Sequence, residues 1–434
     1  MPAPSAPLAA GYREAPLWHD GVELPAVVRD ARPLPASADV VIVGGGYCGV
    51  MAAAELARRG RHTVVVEADP IGVGASTRNG GMVIPELKYG PKKLAKRYGA
   101  LGGELIDAVF DAFDLVERTI DEHAIECDYA RTGGLLLAHH DGQLAALRDM
   151  EREWVDDLGE SARFVPRAEL GAEVGTRAYA GGVVLEKTGG LHPARYHAGL
   201  VRVALDAGAE MHGATRALAL DRRGPGRWRV ETNRGNVDAG DVLVATNAYR
   251  DGLVPWLERR VLPFGSFVIA TEVLDPDVAR AVSPRGRMFF DTKNFLFYWR
   301  LSPDGRVVFG GRTSLGATTV PIARDVLYRE MVRVHPQLTG ARVERAWGGS
   351  VAVTLDRLPH CGRVDGAAFA TGCNGTGIAL ATWFGMRAAA WMSGEEPAPA
   401  FAQLPFPAIP LHGFHEQYLP AVGWWLRARD RVGR

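Results

Sequence analysis

Short runs of β-branched residues alternate with a helical segment near the start of the chain. Residues 40–43 and 63–66 are continuous apolar runs, of the kind that forms buried parallel strands. Residues 51–59 lie between them, are rich in strong helix formers and end at Gly60, a natural helix C-terminus. This order predicts a strand–helix–strand unit. Apolar residues then recur at helical spacing over 91–125, which predicts helices there.

Further along, the pattern changes from helical spacing to the alternation of strands. Residues 262–273, 295–301 and 306–312 alternate as sheet strands do, and Pro303-Asp304-Gly305 predicts a hairpin turn between the last two. The other predicted strands are 133–140, 182–185, 209–220, 227–232, 235–238, 241–245 and 367–370, with a hairpin at Asn233-Arg234; the other predicted helices are 144–158, 194–207, 323–334 and 378–391. Strand–helix units thus occur at the start, in the middle and at the end, which favours two interleaved domains.

The glycines after the first strand predict a dinucleotide site. Gly44, Gly46 and Gly49 have the G-x-G-x-x-G spacing, which permits a tight turn, close approach of backbone to a pyrophosphate, and close helix–strand packing. The helix that follows would direct N–H groups and a partial positive charge at the pyrophosphate. Glu67, at the end of the second strand, can accept hydrogen bonds from ribose hydroxyls and would repel a 2′-phosphate. The site therefore favours FAD or NAD over NADP.

Two further glycine loops narrow the choice of cofactor. Residues 372–377 follow a predicted strand and open a helix, and residues 72–81 form another glycine-rich loop. Glycines at such positions let the backbone approach a flat or anionic group closely. Three glycine loops that leave nucleotide-domain strands favour a long cofactor contacted at several points, which fits FAD better than NAD.

Composition restricts the class of partner. The 434 residues include 50 basic and 50 acidic side chains, so formal net charge is zero and nothing favours nucleic acid as a partner. No apolar run approaches the ~20 residues of a membrane span, and the N-terminus lacks a signal-peptide pattern. The four cysteines lack zinc spacing, so no metal site is predicted. We expect a cytoplasmic enzyme with reduced thiols, whose oligomeric state stays open.

The motifs taken together resemble those of a flavoprotein family. The chain resembles the FAD-dependent D-amino-acid oxidase, glycine oxidase and sarcosine oxidase family over nearly its whole length, and within it the γ-glutamylputrescine oxidase-like branch. The residues that carry the resemblance are 43–49, Glu67, 74–81, 244–248, 298–305, 310–312, 347–349, 354–359 and 372–377.

The resemblance implies an α/β fold of mixed α+β character. A Rossmann-like FAD-binding domain is expected to interleave with a substrate domain built on a mostly antiparallel sheet. The expected parts are an N-terminal arm (1–36), an FAD-binding domain (37–95, 182–260 and 345–400), a substrate domain (96–181 and 261–344) and a C-terminal tail (401–434). The arm is expected to be loosely ordered, with Tyr12, Leu17 and Trp18 as its contacts with the surface.

The resemblance also implies which residues contact FAD. The fingerprint glycines would hold the pyrophosphate, Glu67 the adenosine ribose, and the loop at 375–377 the flavin pyrimidine ring, where N–H groups can stabilise negative charge. The full expected set is Gly44, Gly46, Tyr47, Cys48, Gly49, Glu67, Ala68, Gly74, Ala75, Ser76, Arg78, Asn79, Gly80, Gly81, Thr215, Arg216, Ala245, Thr246, Asn247, Trp347, Gly372, Asn374, Gly375, Thr376 and Gly377.

Departures from the family pattern are informative about the flavin and the substrate. Gly349 stands where some relatives attach the flavin through a cysteine, so non-covalent FAD is expected. Val351 and Ala379 stand where relatives carry basic ligands for an α-carboxylate, and Val308 where some carry a lysine near the flavin. These departures imply an amine substrate whose reacting carbon has no clamped α-carboxylate.

Other basic and aromatic residues are candidates for the substrate site. Arg312, Arg300 and Lys293 are candidate anchors for an anionic part of the substrate, with solvated or paired strand charges as the alternative. Tyr298 and Trp299 are predicted as a pocket wall or as core. His360 is predicted either to face the flavin or to be structural. From this group, Arg312, Tyr298 and His360 are the candidate catalytic residues.

The activity implied by the resemblance is oxidation of a C–N bond. A small primary or secondary amine would lose a hydride equivalent to FAD, and the imine would then hydrolyse. Oxygen or another acceptor would reoxidise the flavin. Two alternatives stay open: a D-amino-acid or 2-hydroxy-acid dehydrogenase on the same fold, and a non-catalytic flavin subunit of a hetero-oligomer.

Overall fold

The computed structural model describes residues 5–29, 32–249 and 251–432. Its strands are β1 (Leu8–Arg13), β2 (Ser37–Val43), β3 (Thr63–Val66), β4 (Met82–Val83), β5 (Gly134–Ala138), β6 (Ala162–Pro166), β7 (Gly181–Leu185), β8 (Gly189–Gly190), β9 (Glu210–His212), β10 (Ala217–Gly224), β11 (Arg227–Thr232), β12 (Gly235–Val244), β13 (Val261–Thr271), β14 (Met288–Asp291), β15 (Phe297–Leu301), β16 (Val307–Gly311), β17 (Val343–Thr354), β18 (His360–Val364) and β19 (Ala367–Thr371). Its α-helices are α1 (Ala26–Arg29), α2 (Tyr47–Arg58), α3 (Pro91–Tyr98), α4 (Ala100–Glu122), α5 (Leu144–Arg152), α6 (Pro193–Asp206), α7 (Pro255–Glu258), α8 (Pro276–Val282), α9 (Val320–Val334), α10 (Gly377–Met392) and α11 (His415–Val432).

The smaller sheet contains the predicted strand–helix–strand unit. Its order is β10–β11–β12–β2–β3–β9, and β19, which pairs with β18, also pairs with β12. Strands β12, β2, β3 and β9 run parallel, with β2 matched to β12 from Ser37↔Asp238 to Val43↔Val244. Their carboxyl ends therefore share one edge, which is where ligands bind in sheets of this kind. Helix α2 begins at this edge, three residues after β2 ends.

Helices α2, α4, α6 and α10 share one hydrophobic core on a face of this sheet. Helix α10 crosses α2 closely because Gly385 has no side chain; a Cβ there would overlap Cys48 O. In the described part of the chain, no helix has both the length and the apolar character needed to cross a bilayer. The helical layer thus fixes α2 against the sheet and sets where its N-terminus points.

The larger sheet is mostly antiparallel. Its order is β1–β17–β13–β16–β15–β14–β5–β7–β6, and the pairs β1–β17 and β14–β5 are parallel. Trp299 is fully buried and stacks between Phe289 and Phe309, with ring centroids 5.2 and 5.6 Å away. Two sheets of this kind, with helices against them, confirm the predicted mixture of a parallel nucleotide sheet and an antiparallel sheet. Trp299 belongs to the core rather than to a pocket wall.

Three details of the predicted elements are wrong. The strand predicted over 209–220 is two strands, β9 and β10, at opposite edges of the smaller sheet. Residues 235–238 and 241–245 form one continuous strand, β12, rather than two strands. Gly240 suggests a break in the sequence, but it serves close packing, since a Cβ there would lie 2.8 Å from Asp39 O on β2. The helix predicted over 144–158 ends at Arg152 and continues as a π-helical turn, Glu153–Asp157.

The N-terminal arm is more ordered than predicted. Strand β1 pairs with β17, and Trp18 is only 1% exposed, so the described part of the arm belongs to the packed structure. In the C-terminal tail, Leu419 of α11 packs against Phe264 and Phe295. The domain limits stay predictions: β7 and β17 lie in the larger sheet, although most of their residues fall within the predicted FAD-binding segments.

Candidate active site

A cavity of about 530 Å³ lies between the carboxyl edge of the smaller sheet and strands β13 and β17 of the larger sheet. This volume is in the range of small-molecule and cofactor sites. The predicted cofactor residues that line it are Gly44, Gly46, Glu67, Ala68, Gly74, Ala75, Ser76, Arg78, Arg216, Ala245, Thr246 and Asn247. Residues far apart in the sequence, from 44 to 247, therefore converge on one cavity.

The start of α2 depends on its glycines. Gly44 has φ 111°, and a Cβ there would lie 2.8 Å from Ala245 O. A Cβ at Gly49 would overlap Gly44 O. Gly46 is the N-cap and supplies no side-chain cap, while Ser76 Oγ accepts the Tyr47 N–H at 3.0 Å. The turn is thus compact, and the cavity meets a helix N-terminus suited to an anionic group.

Glu67 is held in place by backbone N–H groups. Its Oε2 accepts from Gly45 N at 2.8 Å, and its Oε1 accepts from Asp69 N at 3.2 Å. Burial raises the pKa of Glu67. Each carboxylate oxygen keeps a free lone pair, so a fixed acceptor pair remains for ribose hydroxyls.

The loop formed by residues 72–81 connects the two sheets. Arg78 donates from Nε to Val73 O at 2.6 Å and from Nη1 to Gly348 O on β17 at 3.2 Å. The Asn79 side chain closes the loop on itself, since its Nδ2 donates to Ser76 O at 2.8 Å. Arg78 therefore brings a positive charge to the cavity wall, while Asn79 supports the loop from within.

Strands β13 and β17 form the opposite wall of the cavity. Gly265, Phe267, Gly348, Gly349 and Ser350 line it there. Phe267 crosses the small residues of β17: a Cβ at Gly348 would lie 2.8 Å from the Phe267 ring. The sequence analysis did not identify Phe267 because its position depends on the register between the two strands.

Tyr298 lies on β15 of the larger sheet, on the face opposite to the Phe267 side chain, since it pairs with Gly310 whereas Phe267 pairs with Gly311. Its ring packs against Gly80 and Gly310, and its hydroxyl is 3.2 Å from Ser266 Oγ. Burial raises the pKa of Tyr298, so the phenol stays protonated and able to donate. The structure thus brings this candidate catalytic residue to the loop that lines the cavity.

Several predicted cofactor residues lie behind the cavity wall. The Tyr47 hydroxyl donates to Pro193 O at 3.1 Å in the core, and Thr215 Oγ1 donates to Gly213 O. Cys48 is buried, and burial raises the pKa of its thiol to about 12. The remaining predicted residues outside the lining are Gly49, Asn79, Gly80, Gly81, Trp347, Gly372, Asn374, Gly375, Thr376 and Gly377.

The loop formed by residues 372–377 is tied to the cavity indirectly. Asn247, which lines the cavity, accepts from Gly372 N at 3.1 Å through Oδ1. The Asn374 side chain is used within the protein, with Oδ1 accepting from Thr354 N at 3.2 Å and Nδ2 donating to Gly372 O. The contact of this loop with FAD stays a prediction.

His360 lies away from the cavity lining. It is 1% exposed, its Nε2 is 3.1 Å from Asp356 Oδ1, and its ring stacks on Phe406 with centroids 3.9 Å apart. These contacts favour a structural role for His360 over a position facing the flavin.

Two cavity residues were missed by the sequence analysis although signals were present. His197 is a buried polar residue in the mostly apolar helix α6, and its Nε2 is 2.8 Å from Gly45 O. Tyr249 directly follows the segment 244–248, which carries part of the family resemblance, and packs beside Gly74. The signal for His197 was a polar side chain in an apolar helix, and the signal for Tyr249 was an aromatic side chain beside a predicted cofactor segment.

Arg312 directly follows β16 and does not line the cavity. Its guanidinium lies 5.0 Å from the centroid of the Phe264 ring. Burial, followed by the nearby charge of Arg357, lowers the pKa of Arg312 to about 10. Within residues 5–29, 32–249 and 251–432, no carboxylate forms an ion pair with it.

Sheets in this arrangement, with a glycine turn and an acidic residue at the shared edge, are characteristic of dinucleotide-binding proteins. The profile of the FAD dependent oxidoreductase family, DAO, matches residues 39–391. The chain belongs to this family.

Curated relatives extend over most of the chain. γ-Glutamylputrescine oxidoreductase of Escherichia coli K12 is 31% identical over 402 residues, which cover 91% of this chain and 93% of that protein. The probable oxidoreductase OrdL of Haemophilus influenzae is 32% identical over 380 residues, covering 86% and 87%. Glycine oxidase of Pseudomonas aeruginosa is 26% identical over 383 residues, covering 82% and 95%.

Solved structures share the fold. Glycine oxidase from Geobacillus kaustophilus superposes with a TM-score of 0.73 at 21% identity, covering 87% of this chain and 99% of that one. The predicted family, FAD dependence and fold are therefore confirmed. The cavity fits FAD, because the fixed carboxylate of Glu67, the glycine turn and the open start of α2 meet in it. The individual FAD contacts stay predictions.

Proposed function

We propose that this enzyme oxidises the C–N bond of a small amine that carries its carboxylate away from the reacting carbon, as γ-glutamylated amines do. Its relatives include γ-glutamylputrescine oxidoreductase and glycine oxidase, whose names denote amine substrates. FAD, when bound, would supply the acceptor for a hydride from the carbon next to the amine nitrogen, and the loss of that hydride leaves an imine. The chain's own residues would orient the amine, exclude water and bind the remote carboxylate.

The observation that carries this proposal is the environment of Arg312. A partly buried guanidinium beside Phe264 and Arg357 loses hydration and gains repulsion. Charges removed from water are stabilised by a counter-ion, and no protein carboxylate supplies one here among the described residues. An anionic substrate group would supply it, and an arginine binds a carboxylate in a bidentate manner.

The other two candidate anchors are less suited: Lys293 has a carboxylate partner, and Arg300, which has none among the described residues, is only 3% exposed and donates to the backbone. Lys293 Nζ lies 3.4 Å from Asp291 Oδ2. Arg300 donates from Nη1 to Gly81 O at 3.1 Å, and its guanidinium lies 5.2 Å from the Trp18 ring centroid. This elimination supports Arg312 as the anchor.

Tyr298 is the proposed positioning group near the amine. Its hydroxyl is already bonded to Ser266 and its pKa is raised by burial, so it can donate a hydrogen bond but is a poor base. A neutral amine would need no protein base. Most of the amine's activation would then come from its deprotonated state and from orientation.

A matched panel of amines under anaerobic conditions tests the proposal. γ-Glutamylputrescine, putrescine, glycine, sarcosine and D-alanine would each be mixed with the enzyme while the visible flavin absorbance is followed. We expect the glutamylated amine to bleach the flavin fastest and putrescine, which lacks the carboxylate, to be slower. Fast reduction by a simple α-amino acid alone would contradict the proposal.

FAD is proposed to be held non-covalently. Gly349, at the position of the linking cysteine in some relatives, lines the cavity, and a Cβ there would be 3.4 Å from Arg78 Cβ. Acid precipitation should release the yellow colour into the supernatant; colour retained in the pellet would refute this. The cytoplasmic location and the choice between oxygen and another acceptor stay predictions.

A further inference from the structure

The N-terminal arm contacts the loop formed by residues 74–81, although it precedes the family match at residues 39–391. Trp18 is 1% exposed, and its indole N–H donates to Asn79 O at 2.8 Å. The arm is anchored at a distance from this contact, through β1 and through the Asp20–Arg345 ion pair at 2.6 Å. Trp18 is therefore a fixed donor beneath a loop of the cavity.

Two other donors hold neighbouring carbonyls of the same loop. The Trp347 indole N–H donates to Arg78 O at 2.8 Å, and Arg300 donates to Gly81 O at 3.1 Å. The rings of Trp18 and Trp347 meet edge to face, with centroids 6.4 Å apart. The arm and two strands of the larger sheet thus fix the orientation of three peptide groups.

His19 provides a second contact from the arm. Its Nε2 is 2.8 Å from Thr77 Oγ1, and that hydroxyl lies 2.6 Å from Gly72 O. Because the Thr77 hydroxyl hydrogen points to a carbonyl, His19 Nε2 must be the donor. Burial, followed by the charge of Arg78, lowers the pKa of His19, and the neutral Nε2–H tautomer is sufficient for this bond.

We propose that Trp18 and His19 are positioning residues for FAD. Apart from the 3₁₀ turn Ala75–Thr77, the loop between residues 74 and 81 has no regular structure to hold its shape. Its cavity-facing residues, among them Ser76 and Arg78, depend on bonds made from behind. The arm acts on the cofactor through the loop and does not itself line the cavity.

The test is FAD binding to apoprotein, measured by flavin fluorescence in variants of the arm. Trp18→Phe keeps a ring and removes the N–H donor, and His19→Ala removes the other donor. Each should weaken FAD binding by about fivefold to tenfold, the loss expected for one hydrogen bond. His19→Gln, which restores an N–H donor, should recover most of the affinity. Trp424→Phe, at a 75% exposed tryptophan, is the matched control and should change nothing.

A merely structural arm would give a different result. In that case Trp18→Phe and His19→Ala would lower the Tm of the apoprotein and leave the FAD dissociation constant within twofold of wild type, which would overturn the proposal. If Trp18→Phe does not fold, the His19→Ala and His19→Gln pair decides alone. The readout does not depend on the substrate, so it is independent of the proposed activity.

Discussion

The proposed cofactor end, built around the cavity, and the proposed substrate end, built around Arg312, differ in how their polar groups are satisfied. At the cofactor end, Glu67, Arg78 and Asn247 all make hydrogen bonds within the protein. At the substrate end, Arg312 has an aromatic ring beside it and no carboxylate ion pair in the described chain. The cofactor end is preorganised by the backbone, whereas the substrate end leaves a charge for its ligand to complete. Substitutions at the two ends should therefore show their effects in different measurements: FAD binding for the cofactor end and substrate kinetics for the substrate end.

The largest effect is expected at the backbone-built end. In Gly49→Ala the new Cβ would overlap Gly44 O, and neither α2 nor the glycine turn can move without disturbing the other. We expect a cost of about 4 kcal/mol or more and no bound FAD in the purified protein. Gly103→Ala in α4 is the control, since nothing lies within 4 Å of its Cβ. Normal flavin content in Gly49→Ala would show that the turn is not preorganised.

Arg312→Ala should affect the other end alone. Removing one partner of a desolvated charge pair should lower kcat/KM by about 2–4 kcal/mol, mostly through KM. Flavin content should stay unchanged, because Arg312 does not line the cavity that fits FAD. If Arg312 is only a strand charge, both kinetic constants will remain within a few-fold and stability alone will fall.

Arg312→Lys refines this result. A lysine keeps the charge but loses the bidentate geometry, so activity should lie between that of wild type and Arg312→Ala. Equal activity of the lysine and alanine variants would indicate that the substrate depends on the bidentate geometry of the guanidinium and not on its charge alone.

Glu67→Ala should weaken FAD binding by about 1–3 kcal/mol, since it removes charge-assisted hydrogen bonds. Glu67→Gln keeps one acceptor oxygen and should lose less. Titration of the apoproteins with FAD measures both. Unchanged affinity in Glu67→Ala would remove this residue from the cofactor end, and unchanged KM would confirm that the two ends act separately.

The last expected effect concerns the fold and should leave both ends intact. Burial lowers the pKa of His335 to about 4, while an unfolded histidine titrates near ~6.5. Between these values the unfolded chain binds more protons, so the stabilisation is complete above about pH 6.5 and falls by up to ~1.4 kcal/mol per pH unit toward pH 4. Urea unfolding of His335→Gln should show a shallower pH dependence. An unaltered slope would refute the assignment.

The cofactor end could be predicted because its signals are local. The spacing of Gly44, Gly46 and Gly49 and the position of Glu67 follow from two strands and the helix between them. The opposite wall of the cavity, formed by β13 and β17, could not be predicted, because Phe267 contacts Gly348 only through the pairing of these two strands. Strand register is not encoded in either segment alone.

The substrate end shows a second limit of the sequence. Arg300, Lys293 and Arg312 look alike as strand arginines or lysines, and only their surroundings distinguish them. His360 directly follows the family-like segment 354–359, yet its ring packs on Phe406 in a part of the chain 46 residues further on. Whether a charge has a partner is a property of the fold, so sequence reasoning could name candidates but not choose among them.

The interleaved order of the smaller sheet has a consequence for synthesis on the ribosome. Strands β2 and β3 emerge early, but β19, which completes the sheet beside β12, follows β3 by about 300 residues. At a synthesis rate of about 5–20 residues per second, β19 is made roughly 15–60 s after β2 and β3. Asn247 can hold Gly372 only after that interval. The cavity, whose opposite wall includes Gly348, Gly349 and Ser350, is likewise complete only on a nearly finished polypeptide, and we expect FAD to bind at that stage.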